Sequence, residues 1–178
     1  MPVPTLRLFF ALWPDAATRT IIGELARQVA AESHGRAVAS DNIHVTLAFL
    51  GTQPVASVPE LRSLAAAIRN QPCVLKLDEI GCFRKTGIAW LGASSPPANV
   101  VSLQAELVRR LAATGIPPDA RPFSPHLTLA RRASIVVRRR LIDPVSWNID
   151  SFALVASQLG SEAPRYRLLD EWRAPGEA

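Results

Sequence analysis

The chain has 178 residues, 48% apolar and 20% charged, a balance that fits one globular domain and excludes a disordered or low-complexity chain. No apolar run approaches the roughly 18 residues that cross a bilayer, and the N-terminus lacks the basic and extended apolar regions of a signal peptide, so a cytoplasmic protein with no membrane partner is expected. The net charge is +5, and every basic residue except Lys76 and Lys85 is arginine, which favours polyanionic partners or reflects an Arg-rich composition.

Leu6–Trp13 (LRLFFALW) is a compact apolar run cut by Pro14 and reads as a central strand. Asp15 can cap a helix running from Ala16 to about Ser33, whose Ile21, Ile22, Leu25 and Val29 fall at helical spacing. Gly35 ends that helix, and Ile43–Leu50 follows as a strand closed by Gly51. Pro59–Arg69 is an Ala-rich helix, and Val74–Ile80 alternates as a half-exposed strand should. Gly87–Gly92 is a further strand. Val100, Leu103, Leu107 and Leu111 mark the apolar face of a third helix, ended by Gly115 ahead of Pro117 and Pro118. Phe123–Ala130 is read as a strand, residues 131–140 as basic and irregular, and Phe152–Gln158 and Tyr166–Trp172 as closing strands. The pattern partly restarts near residues 80–90: a strand, an amphipathic helix and a His-containing strand occur in each half. Two similar lobes are expected, each a small antiparallel-biased sheet with helices outside, in place of a parallel doubly wound fold.

The two cysteines, Cys73 and Cys82, fit no metal or redox spacing and read as small buried hydrophobes. The histidines carry more information. Two of the three head the same short pattern, His44-Val-Thr46-Leu and His126-Leu-Thr128-Leu. Alternation along a strand puts His44, Thr46 and Ala48 on one face and Val45, Leu47 and Phe49 on the other. In the same way His126, Thr128 and Ala130 share a face, opposite Leu127 and Leu129. Apolar faces turned to the helices leave the His-Thr pairs on the other side of the sheet, where a two-fold relation would bring them into one groove.

Two imidazoles about one point suit phosphodiester cleavage. One neutral ring takes a proton from the attacking oxygen, and one protonated ring gives a proton to the departing oxygen. The Thr hydroxyls can donate to the non-bridging phosphate oxygens. A zinc site needs three or four ligands, and only two histidines are suitably placed; no metal or other cofactor is expected. His34, at a helix end beside Gly35, is read as structural. Phe9 and Phe49 are candidates for base stacking, although their apolar strand runs favour buried core.

On these residues the chain resembles the 2H phosphoesterases, specifically the bacterial and archaeal RNA 2′,3′-cyclic phosphodiesterases, also called 2′-5′ RNA ligases. The resemblance extends over nearly the whole chain, through LRLFFALWP, NIHVTLAFLG, RPFSPHLTLAR and FALVASQLGSEAPRYRLLDEW. It implies an α+β fold, a single bilobal domain over residues 1–178 with two pseudo-two-fold related lobes of mainly antiparallel sheet, helices outside and a central cleft, together with hydrolysis of a terminal RNA 2′,3′-cyclic phosphate to a 2′-phosphate and reversible, ATP-independent 2′-5′ joining. The expected partner is RNA with cyclic phosphate ends, tRNA fragments among them, met by a monomer. His44 and His126 would be catalytic, with Thr46, Thr128 and Arg131 binding the substrate phosphate. Arg131 matches a family position, yet simple alternation places it on the wrong face unless a strand end or bulge turns it inward. His126 is expected to activate water and His44 to protonate the 3′-oxygen, although symmetry makes the reverse nearly as reasonable. The triple Arg138–Arg140 would help to hold RNA phosphates. Other readings are action on a small cyclic nucleotide or an ADP-ribose cyclic phosphate, and a non-catalytic RNA-binding module working through its basic surface.

Overall fold

The computed structural model describes residues 3–116, 122–158 and 165–175; Pro117, Pro118 and the loop of the closing hairpin lie outside them. Two antiparallel sheets carry the architecture. Strands β1 (Thr5–Leu12), β3 (Val45–Pro54), β8 (Ser151–Gln158) and β9 (Arg165–Arg173) form the first, in the order β3-β1-β8-β9. Strands β2 (Arg36–Ala37), β4 (Cys73–Phe83), β5 (Ile88–Gly92), β6 (His126–Arg131) and β7 (Arg140–Ile149) form the second, in the order β2-β6-β5-β4-β7. The helices are α1 (Ala16–Glu32), α2 (Val58–Ala66) and α3 (Ala98–Ala113). Asp15 caps α1 as expected, its carboxylate accepting from the Thr18 amide at 2.8 Å.

Lobes and halves of the chain do not coincide. The first sheet joins the two ends of the sequence, because β1 lies between β3 and β8. The helices cross over as well. α1 connects β1 to β3 of the first sheet but packs on β6 of the second, and α3 connects β5 to β6 of the second sheet but packs on β3 of the first. One continuous core results, with Phe10, Leu12, Ile22, Val45, Leu107, Leu127 and Leu129 all buried in it. Each His-bearing segment is therefore backed by the helix of the other half.

The structure departs from the sequence pattern in several places. β7 was not anticipated: Pro144 interrupts its apolar pattern, and proline is tolerated because β7 is an edge strand with a register shift opposite Leu77–Glu79. β6 begins at His126, not Phe123, since Pro125 has no N–H to give to a ladder. Phe49 does not share a face with Val45 and Leu47; it is 50% exposed. The cause is a pair of irregularities in the β1–β3 register, which pairs Phe10 with Ala48 but Ala11 with Thr46, leaving Leu47 unopposed, and also skips Leu50.

The same device recurs in the second sheet. β5 pairs Ala89 with Ala130 but Trp90 with Thr128, so Leu129 is the extra residue. Leu129 and Ala130 are then both buried, and Arg131 turns outward. In each motif the His (i) and Thr (i+2) are followed by a third outward residue at i+5, Phe49 in one case and Arg131 in the other. No helix among the described residues is long and apolar enough to cross a membrane.

Candidate active site

Between the sheets lies a cavity of about 360 Å³ lined by His44, Thr46, His126, Thr128 and Arg131. The five residues singled out from the sequence thus meet, the bulge at Leu129 having brought in the arginine. Arg7, Phe9, Phe49, Ser157 and Tyr166 complete the lining. Arg7, Ser157 and Tyr166 carry no motif; their place follows only from the pairing of β1, β8 and β9. Neither threonine hydroxyl has a partner among the described residues, so both are free to donate. Arg131 makes no ion pair among the described residues, and the Arg7 guanidinium lies 4.9 Å above the Phe49 ring.

The two imidazoles are held in the same way. His44 Nδ1 lies 2.7 Å from the carbonyl oxygen of Asn42, and His126 Nδ1 lies 2.8 Å from that of Ser124. A carbonyl only accepts, so Nδ1 carries the hydrogen in both rings and Nε2 is left for chemistry. Carbonyls two residues upstream therefore fix tautomer and ring orientation at both motifs.

Their surroundings differ. His44 stacks on Trp13 (5.6 Å between centroids, 12° between planes), packs on Phe9 at 4.9 Å and meets the edge of Tyr166 at 5.1 Å. Phe9, Ala11, Ala153 and Val155 form a second small buried cluster, with Trp13 and Tyr166 packed against it. Phe9 is thus buried as expected, but beside the histidine. Burial pushes the His44 pKa down to about 4, and the charges of Arg131 and His126 add to the effect, against a raising contribution from the Asn42 carbonyl. His126 has only the edge of Phe83 against it, at 5.3 Å.

His34 sits at the C-terminal end of α1 with φ of 51°, the left-handed conformation that terminates a helix. Arg139 donates to Glu79 at 2.9 Å and Arg140 to Glu32 at 2.7 Å, so two of the three arginines expected to hold RNA are already engaged with carboxylates. Cys73 and Cys82 are free and half-buried on β4. Among the described residues no group of three or more His, Cys, Asp or Glu is arranged to hold a metal ion.

The chain has counterparts among known proteins. The model of the 2′-5′ RNA ligase superfamily matches residues 13–160. The chain belongs to this superfamily. Among its relatives is an RNA 2′,3′-cyclic phosphodiesterase of Escherichia coli, 37% identical over 171 residues that cover 93% of this chain and 95% of the relative. The solved structure of E. coli LigT in apo form superposes with a TM-score of 0.84 at 36% identity, over 97% of this chain and 99% of that one. E. coli LigT complexed with 3′-AMP gives 0.86 at 34% identity, over 97% and 100%. The α+β architecture of two antiparallel sheets about a cleft, read from the sequence, is that of this superfamily.

Proposed function

We propose that this chain opens the 2′,3′-cyclic phosphate at RNA ends to a 2′-phosphate by acid–base catalysis between His44 and His126, and that the same site joins such an end to a 5′-hydroxyl in a 2′-5′ linkage. The observation that carries the reading is the matched pair of imidazoles, each with Nδ1 tied to a carbonyl, lining one cavity with Thr46, Thr128 and Arg131. The name of the E. coli relative and the structure of LigT with a 3′-nucleotide support RNA as the substrate class.

The cyclic phosphate sits between the motifs, with the threonine hydroxyls and Arg131 on its non-bridging oxygens. His126, the less enclosed ring, takes the proton of the attacking water. His44, shielded from water by Trp13, Phe9 and Tyr166, delivers its proton to the 3′-oxygen as the P–O3′ bond breaks and the phosphate stays on O2′. Such a donor must be protonated, whereas His44 is neutral in the empty cleft at pH 7. The phosphate anion resolves the conflict. It offsets the Arg131 charge that adds to the effect of burial, and the aromatic faces about the ring favour its cationic form.

A measurable consequence is proton uptake on anion binding. An anion that raises the His44 pKa from about 4 makes the complex bind a proton at any pH between the free and bound values. Titration calorimetry with sulfate at pH 5.5, repeated in buffers of different ionisation enthalpy, is expected to show uptake approaching one proton. The uptake should vanish in His44→Ala; uptake unchanged in that variant would place the proton elsewhere.

The test of the function is direct. Wild-type protein in EDTA is expected to convert a short RNA ending in a 2′,3′-cyclic phosphate into one ending in a 2′-phosphate. Turnover of small cyclic nucleotides or an ADP-ribose cyclic phosphate, with none of the RNA, would reassign the substrate.

A further inference from the structure

We propose that a basic ridge running out of the cleft from Arg131 holds the incoming strand in 2′-5′ joining, the RNA whose 5′-hydroxyl attacks the cyclic phosphate, an inference that rests on the reading above. Three segments of the chain build the ridge. Arg36 lies on β2, Arg84 and Lys85 on the turn between β4 and β5, and Arg132 just past the end of β6; all four residues are exposed. The segments are clasped together. The Ala133 amide donates to the Gly87 carbonyl at 2.9 Å, and the amides of Ser134 and Ile135 both donate to the Ser33 carbonyl at 3.0 Å. Glycine permits the close approach: a Cβ at Gly35 would lie 2.9 Å from the Arg131 carbonyl oxygen, and one at Gly87 would lie 3.1 Å from that of Ala133. Arg132 itself is held in the left-handed conformation, φ 56°, which an arginine adopts at a cost.

The ridge carries one sign of charge. No aspartate or glutamate occurs between Glu79 and Glu106 or between residues 131 and 142. None of Arg36, Arg84, Lys85, Arg131 and Arg132 makes an ion pair among the described residues, whereas Arg139 and Arg140 are taken by Glu79 and Glu32. The ladder between β2 and β6 sets Arg36 directly opposite Arg131, so two guanidinium side chains share the cleft face with no carboxylate on either. Like charges in that relation cost stability, and an anionic backbone laid along them removes the cost.

The direction of attack decides which strand the ridge meets. In joining, His126 takes the proton of the 5′-hydroxyl, O5′ bonds to phosphorus, the P–O3′ bond breaks, and O3′ leaves with the proton from His44. Attacking and departing oxygens lie on opposite sides of the phosphorus. The departing side belongs to His44, at the head of β3 in the first sheet, and the attacking side to His126, at the head of β6 in the second. Every cation of the ridge lies on or beside the second sheet, about the far end of the strand that His126 begins. The phosphates within its reach are therefore those of the strand that brings the 5′-hydroxyl. A polyanionic backbone gains affinity from such a surface, and water, the competing nucleophile, gains none.

The test measures joining and hydrolysis together. A short RNA ending in a 2′,3′-cyclic phosphate is incubated with 5′-hydroxyl oligoribonucleotides of increasing length, over a range of salt concentrations, with the wild type and with the double variant Arg84→Ala/Lys85→Ala. Both side chains are exposed and neither lines the phosphate cleft. The wild type should show an acceptor KM that falls with acceptor length and rises with salt. In the double variant the logarithmic salt dependence of that KM should flatten by about 1.4, from about 0.7 for each lost phosphate contact on a single strand, while kcat/KM for hydrolysis of the cyclic phosphate stays at the wild-type value. Equal losses of joining and hydrolysis would put the strand that ends in the cyclic phosphate on the ridge and overturn the assignment, as would a double variant that joins long acceptors like the wild type. A wild type that opens the cyclic phosphate but joins no acceptor also overturns it, whereas one that does neither removes the function proposed above.

Discussion

His44→Ala and His126→Ala are each expected to lower kcat for cyclic phosphate opening by about 10²- to 10⁴-fold, the range of a single proton-transfer group. The double variant should be little worse than either single one, as expected of two groups that act as a unit in one displacement. The substrate separates their roles. With a p-nitrophenyl phosphodiester the departing oxygen needs no proton, so His44→Ala should recover most of its activity while His126→Ala should not. Recovery in the His126 variant instead would exchange the two assignments. The measurement is initial rate against pH with both substrates, and the wild-type profile on RNA should be bell-shaped, one limb from each imidazole.

The second large effect concerns the threonines. Thr46→Val and Thr128→Val keep the branched shape and delete only the hydroxyl, so packing and strand pairing are preserved. Neither hydroxyl has another partner among the described residues, and each is free to serve the phosphate. Loss of one such donor to developing charge costs about 10²–10³ in kcat. A change in KM alone would mean that the hydroxyls hold ground state and transition state equally, as positioning groups do.

The four motif residues were legible because i and i+2 share a face of any regular strand. The fifth and sixth outward positions were not, for one shared reason. Phe49 and Arg131 both stand five residues after their histidine, and strict alternation turns both into the core. A single extra residue, Leu47 in β3 and Leu129 in β6, restores them to the cleft. Nothing local marks these leucines as bulges; the signal lies in the comparison of the two motifs, where an aromatic residue and an arginine occur at the same offset. Arg7, Trp13 and Tyr166 illustrate a different limit. They reach the site through the pairing of distant strands, and periodicity carries no information about which strands become neighbours. β7 was missed because Pro144 argues against a central strand and says nothing against an edge.

The way the chain is threaded has a consequence for the order in which it can be made. β1 is synthesised before the rest of its sheet, and one of its two partners, β8, begins only at residue 151. Until then Phe9 and Ala11, which end in the small buried cluster behind His44, have no cover from Ala153 and Val155. The sheet that carries His126 is built from residues 36–149 and can pair first. The His44 wall therefore closes only once β8 has been made. A nascent chain stalled short of β8 holds both His-Thr motifs but lacks part of the apolar cover over Phe9, which packs against His44.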